Sequence, residues 1–281
     1  MSDAPRSELL RLELVNKLKH DGVVRFVQER HRYMVNGVQA KRSVTDLVRT
    51  VVPPSEAFNA DLIIKKYLSS WRSNREHKYH QCTLNKNDVD AANAIKREWA
   101  RANTLGTAMH RALELRLNSD DGERVCDEVS KEVDQVERLF MQGGPCAHWR
   151  PHRTELKLFD LDQEAGTPYI AGTADGLFKD ERDQFQLVDF KRTDKDLSAE
   201  ACSFGKVCVG VLAGRPLNDH IKYSLQLHLY KHLFEAMGYG TIESCWIVQA
   251  HTDLMDAVKL PTTNLAKEAG ALLQLARSGQ V

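Results

Sequence analysis

The stretch Leu187-Val188-Asp189-Phe190-Lys191-Arg192 (LVDFKR) has the apolar alternation of a half-buried strand, interrupted by Asp189 and Lys191. Side chains two apart in a strand point to the same face, so a carboxylate and an ammonium stand side by side. Such a pair is either a structural ion pair or part of a reaction centre. The residues around it decide between the two.

Just upstream, GTADGLF (172–178) and QFQLVDFKR (184–192) flank KDERDQ (179–184), which has turn chemistry. A hairpin folded on that turn sets Asp175 opposite Asp189 on one face. Two carboxylates so placed repel by on the order of 0.2–1 kcal/mol, and by more if buried. A cation between them reverses the sign, and oxygen-rich sites suit Mg²⁺ or Mn²⁺. Lys191, on the face of Asp189, can hold or polarise a water beside that metal. The set suits metal-assisted hydrolysis of a phosphodiester.

An Asp-x-Lys pattern is short, and a solvated strand face with a Lys–Asp pair reads the same way. Three further features carry the decision. In GTAMHRALE, His110 and Glu114 are one helical turn apart and share a face, with Gly106 a turn earlier. Glu155 places a carboxylate inside the strand-like run RTELKLF (153–159). In YSLQLHLYK, Gln226 and Tyr230 again share one helical face.

Taken in order, Gly106/His110, Glu155, Gly172/Asp175, Asp189/Lys191 and Gln226/Tyr230 resemble the PD-(D/E)xK nuclease superfamily, and more narrowly its RecB-like exonuclease branch. That resemblance implies an α/β (α+β) fold with a restriction-endonuclease-like core, a central mixed β-sheet flanked by helices. It implies Asp175 and Asp189 as metal ligands, assisted by the Phe190 backbone carbonyl, with His110 as a further ligand. Glu155 would bind a second metal or position water. Lys191 would help activate the water, Gln226 would orient the lysine or the DNA backbone, and Tyr230 would pack or touch phosphate. The expected activity is a Mg²⁺- or Mn²⁺-dependent deoxyribonuclease, an exonuclease in replication, recombination or repair, using one or two ions. A structure-specific or nicking endonuclease on the same core, or a catalytically idle DNA-binding scaffold, are the alternatives. The acidic position before Lys191 is Asp189 rather than a glutamate, and Ala174 stands where some relatives have proline. No cysteine quartet brackets the core, so no iron–sulfur cluster is expected.

Residues 101–281 read as this nuclease core, and 1–100 as a mainly helical elaboration with a short hairpin, the whole 1–281 forming one domain. VVRFV and HRYMV are strand-like, and Asn36-Gly37 is a strong hairpin signal. Leu9–Leu18 has helical spacing. Ser43 suits the cap of a helix over VTDLVRTVV that Pro53-Pro54 would end. Helices are expected over most of 56–118, from Asn218 to Gly238, and over 262–278. IESCWIVQAH and LMDAVKL read as two more strands, with an irregular insertion over 195–217.

The chain has 281 residues with 39 basic and 39 acidic side chains. Bulk charge therefore advertises no polyanion partner, and any DNA (a duplex end or a single strand) must be held by a local field. Candidates are Lys41, Arg42, Arg101, Arg111, Arg192, Lys195 and Lys222, with a phosphate site at the Ser43 helix start. Trp71, Trp99, Tyr33 and Phe58 are candidates for stacking on bases, against core packing. The six cysteines form no metal-spaced pair and suit a reducing compartment. The N-terminus reads as neither a secretory signal nor a transit peptide, and no run spans a membrane. A soluble intracellular protein is expected, with replication or recombination proteins as possible partners.

Overall fold

The computed structural model describes residues 11–30, 32–118, 127–162 and 165–281. Leu9, Leu10, His31 and Cys126, which entered the sequence reading, lie outside them. The chain divides into two compact units, 54–108 and 1–53 together with 109–281. The expected boundary near residue 100 groups the residues before 54 differently, because residues 42 and 43 pair with the main sheet.

That larger unit begins with a short helix α1 (Arg11–Val15) and the strands β1 (Val24–Val27), β2 (Arg32–Val35) and β3 (Val38–Gln39). Asn36 and Gly37 both have left-handed φ, 49° and 79°, which is what a tight β2–β3 turn requires. β4 (Arg42–Ser43) then pairs in parallel with a later strand, and α2 (Val44–Arg49) follows. Ser43 caps α2 through a full capping box with Asp46. The helix closes at Thr50, ahead of the prolines expected to end it.

The smaller unit holds α3 (Ala60–Ser73), α4 (His80–Thr83) and the first part of α5 (Asp88–Asn118). Trp71 is buried among Ile64, Leu68, Ala91 and Ile95, with Trp99 packed against the same cluster. Trp99 Nε1 donates to the Tyr79 hydroxyl at 2.7 Å. Trp71 is therefore a core residue here, and Trp99 is partly buried at its edge.

The part of α5 from Met109 onward belongs to the larger unit. α6 (Ser130–Phe140), over residues with no expected element, precedes β5 (Arg150–Leu161), β6 (Pro168–Lys179) and β7 (Phe185–Arg192). α7 (Asp219–Ala236), β8 (Ile242–Ala250), β9 (Val258–Pro261) and α8 (Ala266–Arg277) complete the chain. Asn218 caps α7 by accepting from the Ile221 amide. The six-stranded sheet runs β4-β6-β7-β8-β9, with β5 on β6. It is mixed: β5/β6, β6/β7 and β8/β9 are antiparallel, β4/β6 and β7/β8 parallel.

Along β7 the two faces separate cleanly. Leu187 joins the core built with α2, α7 and α8, and Lys191 lies against Tyr223 of α7. On the opposite face Arg192 meets Glu132 of α6. Helices thus cover both faces of the sheet. Among the described residues no helix is long and apolar enough to cross a membrane.

Candidate metal centre

The β6/β7 ladder pairs Lys179 with Phe185, Phe178 with Gln186, Leu177 with Leu187 and Gly176 with Val188, and ends there. The next step in that register opposes Asp175 to Asp189, as the hairpin expectation required. On the same edge of β6, Ile170 and Ala171 pair instead with β4. β7 continues on β8, where Asp189, Phe190 and Lys191 pair with Ile247, Val248 and Gln249. The two aspartates stand where β6 and β7 part company. In that gap the Phe190 N–H, with no β6 carbonyl to meet, donates to Asp175 Oδ2 at 2.8 Å.

β5 brings a third carboxylate. The pairs Thr154–Gly176 and Leu156–Ala174 bracket Glu155 opposite Asp175. Glu155 has φ 46°, a left-handed conformation inside a strand. Such a residue costs of order 1–3 kcal/mol and collects at functional sites. No pattern in the sequence announces it.

α5 supplies His110, whose Nδ1 is 3.5 Å from Asp175 Oδ2. One ligand atom each from His110, Glu155 and Asp175 lie within 4.8 Å of one another. Lys191 Nζ is 2.7 Å from Asp189 Oδ2, so Asp189 is both the cross-strand neighbour of Asp175 and a salt-bridge partner. The ammonium is the charge partner of that buried oxygen. The Asp189 side chain is only 3% exposed.

These charges shift one another. Burial alone would lower His110, but the Asp175 carboxylate overrides it and raises the imidazole to about 9. Burial would raise Asp175, yet His110, Lys191 and the Phe190 N–H hold it below the usual carboxylate range. Asp189 goes the other way, pushed up by burial and by the Asp175 charge against the pull of Lys191. Lys191 itself is raised despite burial, because Asp189 and Asp175 favour its charged form. It is a cation at any physiological pH.

Other expected residues are placed differently. Tyr230 is buried, and a Cβ added to Gly172 would sit 2.8 Å from its ring. It is packing, out of reach of phosphate. Gln226 donates to the Tyr230 hydroxyl at 3.4 Å. Contact with Lys191 comes instead from Tyr223, one turn earlier, whose ring centroid is 4.7 Å from the ammonium. The i−3 spacing from Gln226 on a face already singled out was the available signal.

The substrate-contact expectations need correction. Arg192 is tied at 2.7 Å to the fully buried Glu132, a structural ion pair that leaves it no freedom for DNA. Ser43 spends its hydroxyl and amide on Asp46, so a carboxylate occupies the helix start where a phosphate was expected. Arg111 pairs with Glu114 at 2.6 Å, which also removes Glu114 from the His110 site. Lys222 and Lys195 both pair with Asp219. Arg42 lies on a basic cleft with Lys41. Tyr33 packs its ring against Phe26, with centroids 4.7 Å apart, and its hydroxyl bonds Thr173 Oγ1 at 3.1 Å.

No protein-family model and no curated protein matches the chain. Among solved structures it is similar to one described as the crystal structure of SSO0001, at 18% identity and a TM-score of 0.37. The match covers 85% of this chain and 76% of that one. At that TM-score it carries no argument about fold or chemistry.

Proposed function

We propose that the protein is a metal-dependent deoxyribonuclease built on a restriction-endonuclease-like core, an exonuclease by its resemblance to the RecB-like branch. The observation that carries the reading is the convergence of His110, Glu155 and Asp175 beside the opposed Asp189 and its lysine. Structural ion pairs do not collect three buried or half-buried carboxylates at a sheet fork, where their repulsion opposes folding.

The donor set fits a divalent cation such as Mg²⁺ or Mn²⁺. It offers carboxylate oxygens from Asp175, Asp189 and Glu155 and one imidazole nitrogen from His110. When bound, such an ion would supply Lewis-acid polarisation of the phosphoryl group and of a bound water. Lys191, held as an ammonium by Asp189 and Asp175, would orient the attacking water and donate to the oxygen on which charge develops. The Phe190 N–H fixes the orientation of the Asp175 carboxylate.

Purified protein is to be incubated with linear and with closed-circular DNA, with and without Mg²⁺ or Mn²⁺. Degradation of linear DNA alone supports the exonuclease; cutting of circles supports an endonuclease on the same core. Lys191→Ala and Asp189→Ala should each abolish cleavage. Full activity in a folded Lys191→Ala protein would sink the mechanism.

A further inference from the structure

We propose that the cleft lined by Arg30, Arg32, Lys41 and Arg42 anchors a backbone phosphate of the strand that the metal centre would cut. The inference rests on the nuclease reading and adds to it a second contact point for the substrate. The cleft has a volume of about 230 Å³. That is below the roughly 300 Å³ at which small-molecule pockets begin, so it suits a phosphate group better than a whole nucleotide.

Its charge is one-sided. Four cationic side chains line it against one carboxylate, Asp46. Asp46 is already engaged by Ser43 and by Arg49, whose guanidinium is 3.0 Å away. Arg32 donates to the neutral Gln39 side chain at 2.7 Å. Lys41 lies over the Tyr169 ring at 4.6 Å. Among the described residues neither Lys41, Arg42 nor Arg30 forms an ion pair with a carboxylate. Like charges brought to one concavity create a field that attracts an anion, and guanidinium forks match phosphate oxygens in pairs.

The fold makes the convergence. The Asn36-Gly37 turn sets β2 against β3, with Met34 opposite Gln39. The chain then swings into β4, where Arg42 pairs with Ile170 of the strand that carries Asp175. α2 has only six residues and its first turn is closed by the capping box, so the side chains must do the binding. Tyr33 forms both a wall of the cleft and a link to the centre. Its hydroxyl bonds Thr173, two residues before Asp175. Burial raises the Tyr33 hydroxyl, and the charges of Glu155 and Asp175 add to the effect. Cleft and centre are thus joined through β6, by the β4 pairing and by the Tyr33–Thr173 bond, as two contacts on one nucleic-acid backbone would need.

The test measures binding of single-stranded and duplex oligonucleotides, with 5′-phosphate or 5′-hydroxyl ends, across a salt series without divalent metal. Wild type is compared with Arg30→Gln, Lys41→Gln and Arg42→Gln, and with Lys267→Gln, an equal charge change on an exposed α8 position. Each cleft substitution should weaken binding by about tenfold or more and lower the slope of log K against log salt by about one. Loss on both end types assigns an internal phosphodiester; loss on phosphorylated ends alone assigns a terminal phosphate. Cleft variants that bind like Lys267→Gln, while wild type binds and cuts DNA, overturn the anchor and leave the nuclease standing. A wild type that neither binds nor cuts DNA overturns both.

Discussion

The Lys191 ammonium sits 4.7 Å from the centroid of the Tyr223 ring while contacting Asp189 Oδ2 at 2.7 Å. The ring limits where the lysine can swing, and the aspartate sets its charge. A cation over an aromatic face gains on the order of 0.5–2 kcal/mol. Tyr223→Leu should therefore lower kcat for DNA cleavage by about 3–30-fold, with Tyr223→Phe close to wild type. Equal losses in both variants would point to the hydroxyl instead.

Gly172 touches Tyr230 and Val44 with no room to spare. A Cβ there would lie 2.8 Å from Tyr230 Cε1 and 2.9 Å from Val44 Cγ2. Gly172→Ala should destabilise the protein by about 1–3 kcal/mol through overpacking, read from urea unfolding. An unchanged midpoint would mean that the ring yields freely.

Glu155→Gly removes a left-handed glutamate and one of the crowded carboxylates. Without divalent ions the variant should be more stable than wild type by on the order of 1 kcal/mol. Added Mn²⁺ should raise the melting temperature of wild type, because ligand binding to the folded state stabilises it, and should do so far less for the variant. A variant that Mn²⁺ stabilises as strongly as wild type removes Glu155 from the metal set.

His152, stacked edge-on against Phe185 at 5.1 Å, is lowered to about 4, first by burial and then by Lys179 and Arg153. Between pH 6.5, its ordinary value, and about 4, the unfolded chain binds a proton that the folded chain refuses. Stability is therefore complete above pH 6.5 and falls as pH drops through that window. His152→Gln should flatten the acid limb by about 1–3 kcal/mol, seen in denaturant midpoints from pH 7 to pH 4. Parallel profiles would refute the assignment.

Arg192→Ala strands the Glu132 carboxylate, which is 0% exposed. The expected result is a loss of about 3–5 kcal/mol in stability. Glu132→Gln combined with Arg192→Met should recover much of it, since the neutral pair leaves no buried charge. Full stability of Arg192→Ala would reopen a role at the surface.

Much of this arrangement was legible in the chain itself. Local chemistry is encoded locally: Asn36-Gly37 made its turn, Ser43 and Asn218 made their caps, and the KDERDQ turn set the register that opposes Asp175 to Asp189. Period-2 and period-3.6 patterns found β6, β7 and α7 because each buries one face against a neighbour. What needed the tertiary structure was long-range. Arg192 and Ser43 carried the right chemistry for phosphate, but only packing revealed that Glu132 and Asp46 had claimed them. α6 escaped notice, although Val133, Val136 and Leu139 are buried along it, because it follows a stretch with no clear pattern. The left-handed Glu155, the fork between β6 and β7, and the seat of Lys191 on Tyr223 depend on contacts between residues far apart in sequence. A one-dimensional pattern states which side chains share a face of one element, whereas a site is made where several elements meet.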